Sequence, residues 1–313
     1  MVRPDILVMG IYPEWDMAAL AETYTVHRYW EAADKPAFLK KIAPIVRAIA
    51  TRGDLGASAD VIAALPHLEI ISCYGVGVDA IDLKAAKVRS IPVTYTPNVL
   101  HEDVADLALA LMLAIARRVP QGDVFARSGK WATENFPLVT RMHGKRLGLI
   151  GMGMIGQAIA KRALAFGMTV SYHSRAKHED LPFGYFDSPV KLAAQCDFLV
   201  AAVTGGAATA MIVSADVLKA LGPKGYFINV ARGSVADEVA LLHALESNAI
   251  AGAALDVYLN EPAIDPRFAR LDNVVLQPHH GSGTIETRKI MGQLVRDNLA
   301  AHFAGQPLPT PVA

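Results

Sequence analysis

Three short segments in the C-terminal half of the chain hold residue types able to do chemistry together. Asn229-Val230-Ala231-Arg232-Gly233 carries an arginine. Ala254-Leu255-Asp256-Val257-Tyr258-Leu259-Asn260-Glu261-Pro262 carries two acids, and Gln277-Pro278-His279-His280-Gly281-Ser282-Gly283-Thr284 carries two histidines. An arginine offers a planar, permanently charged fork suited to a carboxylate. A histidine can give a proton to a carbonyl oxygen near neutral pH, and a glutamate beside it favours the charged ring and fixes its tautomer. Each segment follows an apolar run of strand length: Phe227 to Val230, Ala253 to Leu255, and Val274 to Leu276. Ligands of open α/β sheets bind beyond the carboxyl ends of strands, so one crevice is expected to gather Arg232, Glu261 and His279.

A fourth segment says what else that crevice would hold. Leu147 to Ile150 reads as a buried strand and runs straight into Gly151-Met152-Gly153-Met154-Ile155-Gly156, with a helix expected over Gln157 to Phe166. This is G-x-G-x-x-G in strand–turn–helix order, the arrangement that seats a dinucleotide pyrophosphate on backbone amides at a helix N-terminus. The next strand ends Tyr172-His173-Ser174-Arg175. NAD enzymes place an acid there for the ribose hydroxyls; here Ser174 and Arg175 offer a hydroxyl and a cation to a 2′-phosphate. NADP(H) is therefore the expected cofactor, with NAD(H) the alternative if Arg175 only stacks on adenine.

Nearly half the chain precedes the glycine turn, and it must build something of its own. Candidate strands there are Ile6 to Met9, Thr25 to His27, Ala48 to Ala50, Ile70 to Cys73 and Val93 to Tyr95. Helices such as Ala59 to Leu65 and Leu83 to Lys87 lie between them. After the turn come Thr169 to Tyr172, Phe198 to Ala202 and the three strands named above. Long helices over Glu102 to Arg118 and Thr284 to Phe303 bracket this second series. Alternation of this kind predicts parallel α/β sheets. The expected architecture is two such domains: residues 1–100 with 285–313 as a flavodoxin-like substrate domain, and an inserted Rossmann-like NAD(P) domain over 101–284.

With 313 residues, 52% of them hydrophobic, both domains have material for a core. Lys plus Arg equals Asp plus Glu at 30 each, which points away from nucleic acid or an anionic membrane as partner. The N-terminus has no signal-peptide pattern, and the apolar run Val104 to Ala116 is too short to span a bilayer. Cys73 and Cys196 make no disulfide framework and no metal spacing. A reducing, cytoplasmic setting is expected, with no metal.

Over nearly its whole length the chain resembles the D-isomer-specific 2-hydroxyacid dehydrogenase family, and most closely its glyoxylate/hydroxypyruvate and hydroxyphenylpyruvate reductase branch. The resemblance assigns the family's Arg, Glu and His to Arg232, Glu261 and His279. It places the carboxylate-binding glycine loop on Tyr74-Gly75-Val76-Gly77-Val78-Asp79, where the Val76 and Gly77 amides would form an anion nest. Hydride transfer from a nicotinamide to a small 2-oxo acid is implied. Arg232 binds the carboxylate and polarises the carbonyl, while the His279–Glu261 pair supplies the proton. Asp256, Val230 and Ala231 fall where relatives line the nicotinamide pocket. Tyr74, Leu100, Trp131, Phe136 and His280 are candidate walls for the substrate side chain. A homodimer is implied, built on the Val104 to Ala116 helix and the arm around Trp131. One departure stands out: the family's Pro-containing turn is replaced by Val203-Thr204-Gly205-Gly206-Ala207-Ala208-Thr209. A dinucleotide-sensing, corepressor-like binding protein on the same fold is the alternative function.

Overall fold

A computed structural model describes residues 3–312. The chain forms two compact units, Met1–Leu100 with Gly283–Ala313, and His101–Ser282.

The front unit alternates strand and helix: β1 (Asp5–Val8), α1 (Glu14–Thr23), β2 (Thr25–Arg28), α2 (Lys35–Ile42), β3 (Val46–Arg52), α3 (Ala59–Ala64), β4 (Ile70–Tyr74), α4 (Leu83–Val88) and β5 (Val93–Thr94). Its five strands pair in parallel in the order β2-β1-β3-β4-β5, the flavodoxin-like order. Continuous burial along β4 fits a parallel strand covered on both faces. Side-chain caps start the helices: Asp34 accepts from Ala37 N, Ser58 from Val61 N and Asp82 from Ala85 N.

The second unit opens with α5 (His101–Arg117) and α6 (Val119–Arg127). It continues as β6 (Arg146–Ile150), α7 (Met154–Ala165), β7 (Thr169–His173), β8 (Gly184–Tyr185), α8 (Pro189–Ala193), β9 (Phe198–Ala201), α9 (Ala215–Leu221), β10 (Tyr226–Asn229), α10 (Glu238–Glu246), β11 (Gly252–Leu255) and β12 (Val274–Leu276). The seven parallel strands run β12-β11-β10-β9-β6-β7-β8. Strand order therefore reverses between β6 and β9, the switch point at which such sheets bind ligands. The core of this sheet includes Ile150, Leu199, Phe227, Leu242, Leu255 and Phe268. In α5, Val104, Ala108, Leu111, Met112 and Ile115 are buried within the unit, at the spacing of one helix face. Arg162 of α7 reaches Glu102 and Asp106 of α5 at 2.7 and 2.6 Å. Much of the helix expected to make a dimer thus faces its own sheet.

The last helix, α11 (Ile285–Phe303), is capped by Thr284 and belongs to the front unit. It is pinned there by an ion pair between Arg296 and the buried Asp16 of α1. The tail beyond it pairs antiparallel to β5 through Tyr95 N to Thr310 O and Val312 N to Val93 O.

Differences from the sequence reading are local. The helix after the glycine turn begins at Met154, not Gln157, because the turn itself closes the first helical bonds. β10 ends at Asn229, so Val230 lies in the loop that follows. The short β8 has no alternating pattern to announce it.

Candidate active site

The glycine turn leaves β6 at the switch point. Gly151 has φ 103°, open only to glycine, and a β-carbon there would press on Ala202 O at 2.5 Å and on Val203. A β-carbon on Gly156 would collide with Gly151 O, so helix and turn pack backbone to backbone. Gly153 differs: it is exposed, and a side chain there would meet nothing within 4 Å. That open face beside the α7 N-terminus is what a pyrophosphate needs in order to approach the amides of Gly153, Met154 and Ile155. Met152 is buried and anchors the turn, its carbonyl accepting from Gln157 Nε2 at 3.1 Å.

The turn after β9 lacks proline but is closed by Thr209, whose hydroxyl donates to Thr204 O at 2.6 Å. At the end of β7, His173 Nδ1 is 3.0 Å from Phe186 O, so this ring braces the sheet edge. Arg175 is exposed and makes no ion pair among the described residues. Ser174 Oγ donates to Ala176 O at 2.6 Å and would have to swing from it to donate to a phosphate. The open glycine and the helix amides fit the pyrophosphate of a nicotinamide dinucleotide.

The loops after β10, β11 and β12 form one bonded assembly. The Asn229 side chain accepts from Ala231 N at 3.1 Å and donates to Arg232 O at 3.0 Å, so it shapes the loop that carries the arginine. Arg232 Nη1 donates to Ala231 O at 2.8 Å. Gly233 passes so close to the Tyr258–Leu259 peptide that any side chain would collide with it. Tyr258 N donates to Glu261 Oε1 at 2.8 Å, and Tyr258 OH lies 2.8 Å from Gln277 O. Leu259 N donates to Glu238 Oε2 at 3.0 Å. Burial pushes the Tyr258 phenol well above its ordinary range, so it stays neutral.

Glu261 and His279 meet directly: Oε2 is 2.5 Å from Nδ1. That contact engages Nδ1 and leaves Nε2 without a partner among the described residues, on a ring whose side chain is 32% exposed. His279 stands at φ 53°, a left-handed conformation that costs roughly 1–2 kcal/mol for a non-glycine residue. The conformation is held from below. Asp256 is buried at 2% exposure, and its two carboxylate oxygens accept from His280 N at 2.6 Å and Gly281 N at 2.8 Å. Burial raises the Asp256 carboxyl above its ordinary range, against the pull of those amides and of His279. Asp256, expected beside a nicotinamide, also holds the backbone of the histidine's loop. Val230 and Ala231 are buried in the loop that follows β10.

The Val76–Gly77 loop lies in the front unit, directly after β4. Cys73 Sγ donates to Gly77 O at 3.5 Å, and Thr96 N to Gly75 O at 2.9 Å. Among the described residues the Val76 and Gly77 amides have no hydrogen-bond partner, as an anion nest requires. Of the expected pocket walls, Tyr74 and Leu100 are buried, Phe136 packs on Phe125 with ring centres 5.4 Å apart, and Trp131 is 73% exposed. His280 is exposed and contributes its amide rather than its ring to the structure described. Asn229, Tyr258 and Glu238 are functional supports that sequence reasoning missed. The one available signal was an asparagine closing a strand, a residue type that bonds its own loop.

The model of the D-isomer specific 2-hydroxyacid dehydrogenase NAD binding domain matches residues 109–281. The chain is 46% identical over 312 residues to the 2-ketogluconate reductase of Gluconobacter oxydans, covering 99% of each. It is 45% identical over 293 residues to the hydroxyphenylpyruvate reductase of Plectranthus scutellarioides, covering 94% of each. Among solved structures, an NADPH-dependent glyoxylate/hydroxypyruvate reductase from Sinorhizobium meliloti, in complex with NADP and malonate, superposes with a TM-score of 0.93. That chain is 43% identical, with 99% of this chain and 97% of that one covered. The chain belongs to the D-isomer-specific 2-hydroxyacid dehydrogenase family. It is an oxidoreductase that interconverts 2-oxo and 2-hydroxy acids with a nicotinamide dinucleotide.

Proposed function

We propose that this enzyme reduces a small 2-oxo acid to the D-2-hydroxy acid with NADPH, the substrate coming from the class that includes glyoxylate, hydroxypyruvate and aryl pyruvates. The dinucleotide is held by Gly151, Met152, Gly153, Met154, Ile155 and Gly156, by Ser174 and Arg175 at the 2′-phosphate, and by Val230 and Ala231 at the ring. When bound there it supplies the hydride. The Val76 and Gly77 amides hold the substrate carboxylate. Arg232 steadies the carboxylate and draws electron density from the carbonyl oxygen. His279 Nε2 delivers the proton to that oxygen, and Glu261 balances the imidazolium before delivery. Asp256 acts through the loop, fixing the backbone from which His279 projects.

The observation that carries this reading is the 2.5 Å Glu261–His279 contact in the same bonded loop assembly as Arg232. NADPH preference is supported by the exposed Arg175 and by His173 in place of an acid. The preferred setting is the cytoplasm; no helix among the described residues is long and apolar enough to cross a membrane. A homodimer is proposed through the arm, where Val119, Val124, Trp131 and Leu138 are all more than half exposed. Sedimentation equilibrium should return twice the 33.5 kDa chain mass, and a monomer refutes the dimer.

The test of the activity is NADPH oxidation with a panel of 2-oxo acids. Turnover with at least one of them is expected. Tight NADPH binding with no turnover across the panel would overturn the reading in favour of a dinucleotide sensor.

A further inference from the structure

The carboxyl edge of the front sheet carries a charged group that the hydride-transfer chemistry does not use. Arg288 lies in the first turn of α11, where a cation faces the positive end of the helix dipole. It is half-buried, and among the described residues it makes no ion pair. Instead its guanidinium lies over the Tyr74 ring, 5.6 Å from the centre. Tyr74 holds both ends of this residue: its hydroxyl donates to Arg288 O at 2.6 Å, with Asp16 Oδ2 3.2 Å away. Tyr12 packs against the Tyr74 ring at 4.6 Å. Buried tyrosines thus seat an arginine that makes no ion pair among the described residues, at a position where helix and burial both disfavour the charge. Burial pulls its guanidinium below the ordinary arginine range. Such an arrangement persists when a ligand compensates the charge.

The neighbours say what kind of ligand. Arg288 feels the charges of Arg52 and Asp54. Arg52 ends β3 and grips Asp54 through two bonds of 3.0 and 2.6 Å, and both side chains stay partly exposed. The turn that follows Arg52 lies against the loop proposed to bind carboxylate, since a β-carbon on Gly75 would stand 3.5 Å from Gly53 N. Two guanidinium forks and one carboxylate next to a carboxylate nest form a mixed set of donors and acceptors. Hydroxyl groups satisfy both kinds at once. A second carboxylate would be repelled by Asp54, and an aryl ring would leave the charges desolvated and unpaired.

We propose that Arg52 and Arg288 are specificity residues that bind the substrate chain beyond its reacting carbon and select a hydroxylated sugar-acid chain over an aryl or absent one. This rests on the proposed reductase activity and deepens it. The test measures kcat/KM with NADPH for 2-keto-D-gluconate, phenylpyruvate and glyoxylate in the wild type, Arg288→Met and Arg52→Met. The wild type should favour the polyhydroxylated acid over phenylpyruvate. In each variant the ratio of 2-keto-D-gluconate to glyoxylate efficiency should fall roughly 10–100-fold. A wild type that prefers phenylpyruvate overturns the proposal without any variant. An equal fall for all three substrates overturns it in favour of a purely structural stack. Glyoxylate turnover in the wild type separates the two readings: if it is present and the sugar acid is ignored, the subsite alone fails. If no 2-oxo acid is reduced, the underlying reading fails.

Discussion

Replacing Asp256 separates its hold on the His279 loop from a direct contact with the cofactor. Its two oxygens accept from His280 N and Gly281 N at 2.6 and 2.8 Å from a site that is 2% exposed. In Asp256→Asn one acceptor is kept and the other becomes a donor facing an amide. One lost charge-assisted bond costs about 1.5–3 kcal/mol. The same change removes a buried charge whose carboxyl is held above its ordinary value, which offsets much of that loss. The melting temperature should therefore move by less than about 4 °C, at roughly 2–4 °C per kcal/mol for a domain of this size. Asp256→Ala leaves both amides unsatisfied at about 1–3 kcal/mol each, so its Tm should fall by roughly 5–20 °C. The catalytic effect is decoupled from stability. His279 sits at φ 53° on the clamped backbone, and a ring misplaced by about 1 Å costs on the order of 100-fold in kcat. Steady-state kinetics, NADPH titration and thermal melts of both variants are the assays. A kcat for Asp256→Asn within about threefold of wild type would refute the clamp. Loss of NADPH affinity with kcat retained would move Asp256 to the nicotinamide.

The same residue sets a pH signature. Because the folded Asp256 carboxyl lies above its unfolded value, its stabilising contribution is complete below about pH 4. It is lost as pH rises through the folded value, so the wild type's margin over Asp256→Asn should shrink with rising pH in thermal melts; a growing margin contradicts the assignment. Arg175→Ala should lower the NADPH-to-NADH ratio of kcat/KM by at least about tenfold, from loss of the guanidinium–phosphate contact. An unchanged ratio, or a wild type that prefers NADH, rejects the phosphate role.

The fold was legible where periodicity reports it. β9 is an unbroken apolar run, β4 is interrupted only by Ser72, and α5 repeats its apolar face over 104, 108, 111, 112 and 115, so length and spacing were enough. The two-residue β8 carries no period, and the helix start at Met154 depends on cap geometry inside a glycine motif. At the site, Arg232, Glu261 and His279 stood out because charged types close apolar strands. What supports them did not, since a single hydrogen bond leaves no pattern in the sequence. Asn229 folding back on Ala231 and Arg232 is one case, and Tyr258 tying Glu261 to Gln277 is another. Arg288 carries no signal of its own in the sequence; its lack of an ion pair among the described residues and its seat on Tyr74 belong to the fold alone.

The central claim is that His279, paired to Glu261, donates the proton to the substrate oxygen. The direct measurement is kcat and NADPH affinity for His279→Asn, which keeps a polar side chain tolerant of the left-handed backbone at this position. The account predicts NADPH binding close to wild type and a kcat lower by about 10²–10⁴-fold. A kcat near that of the wild type contradicts it and removes His279 as the acid.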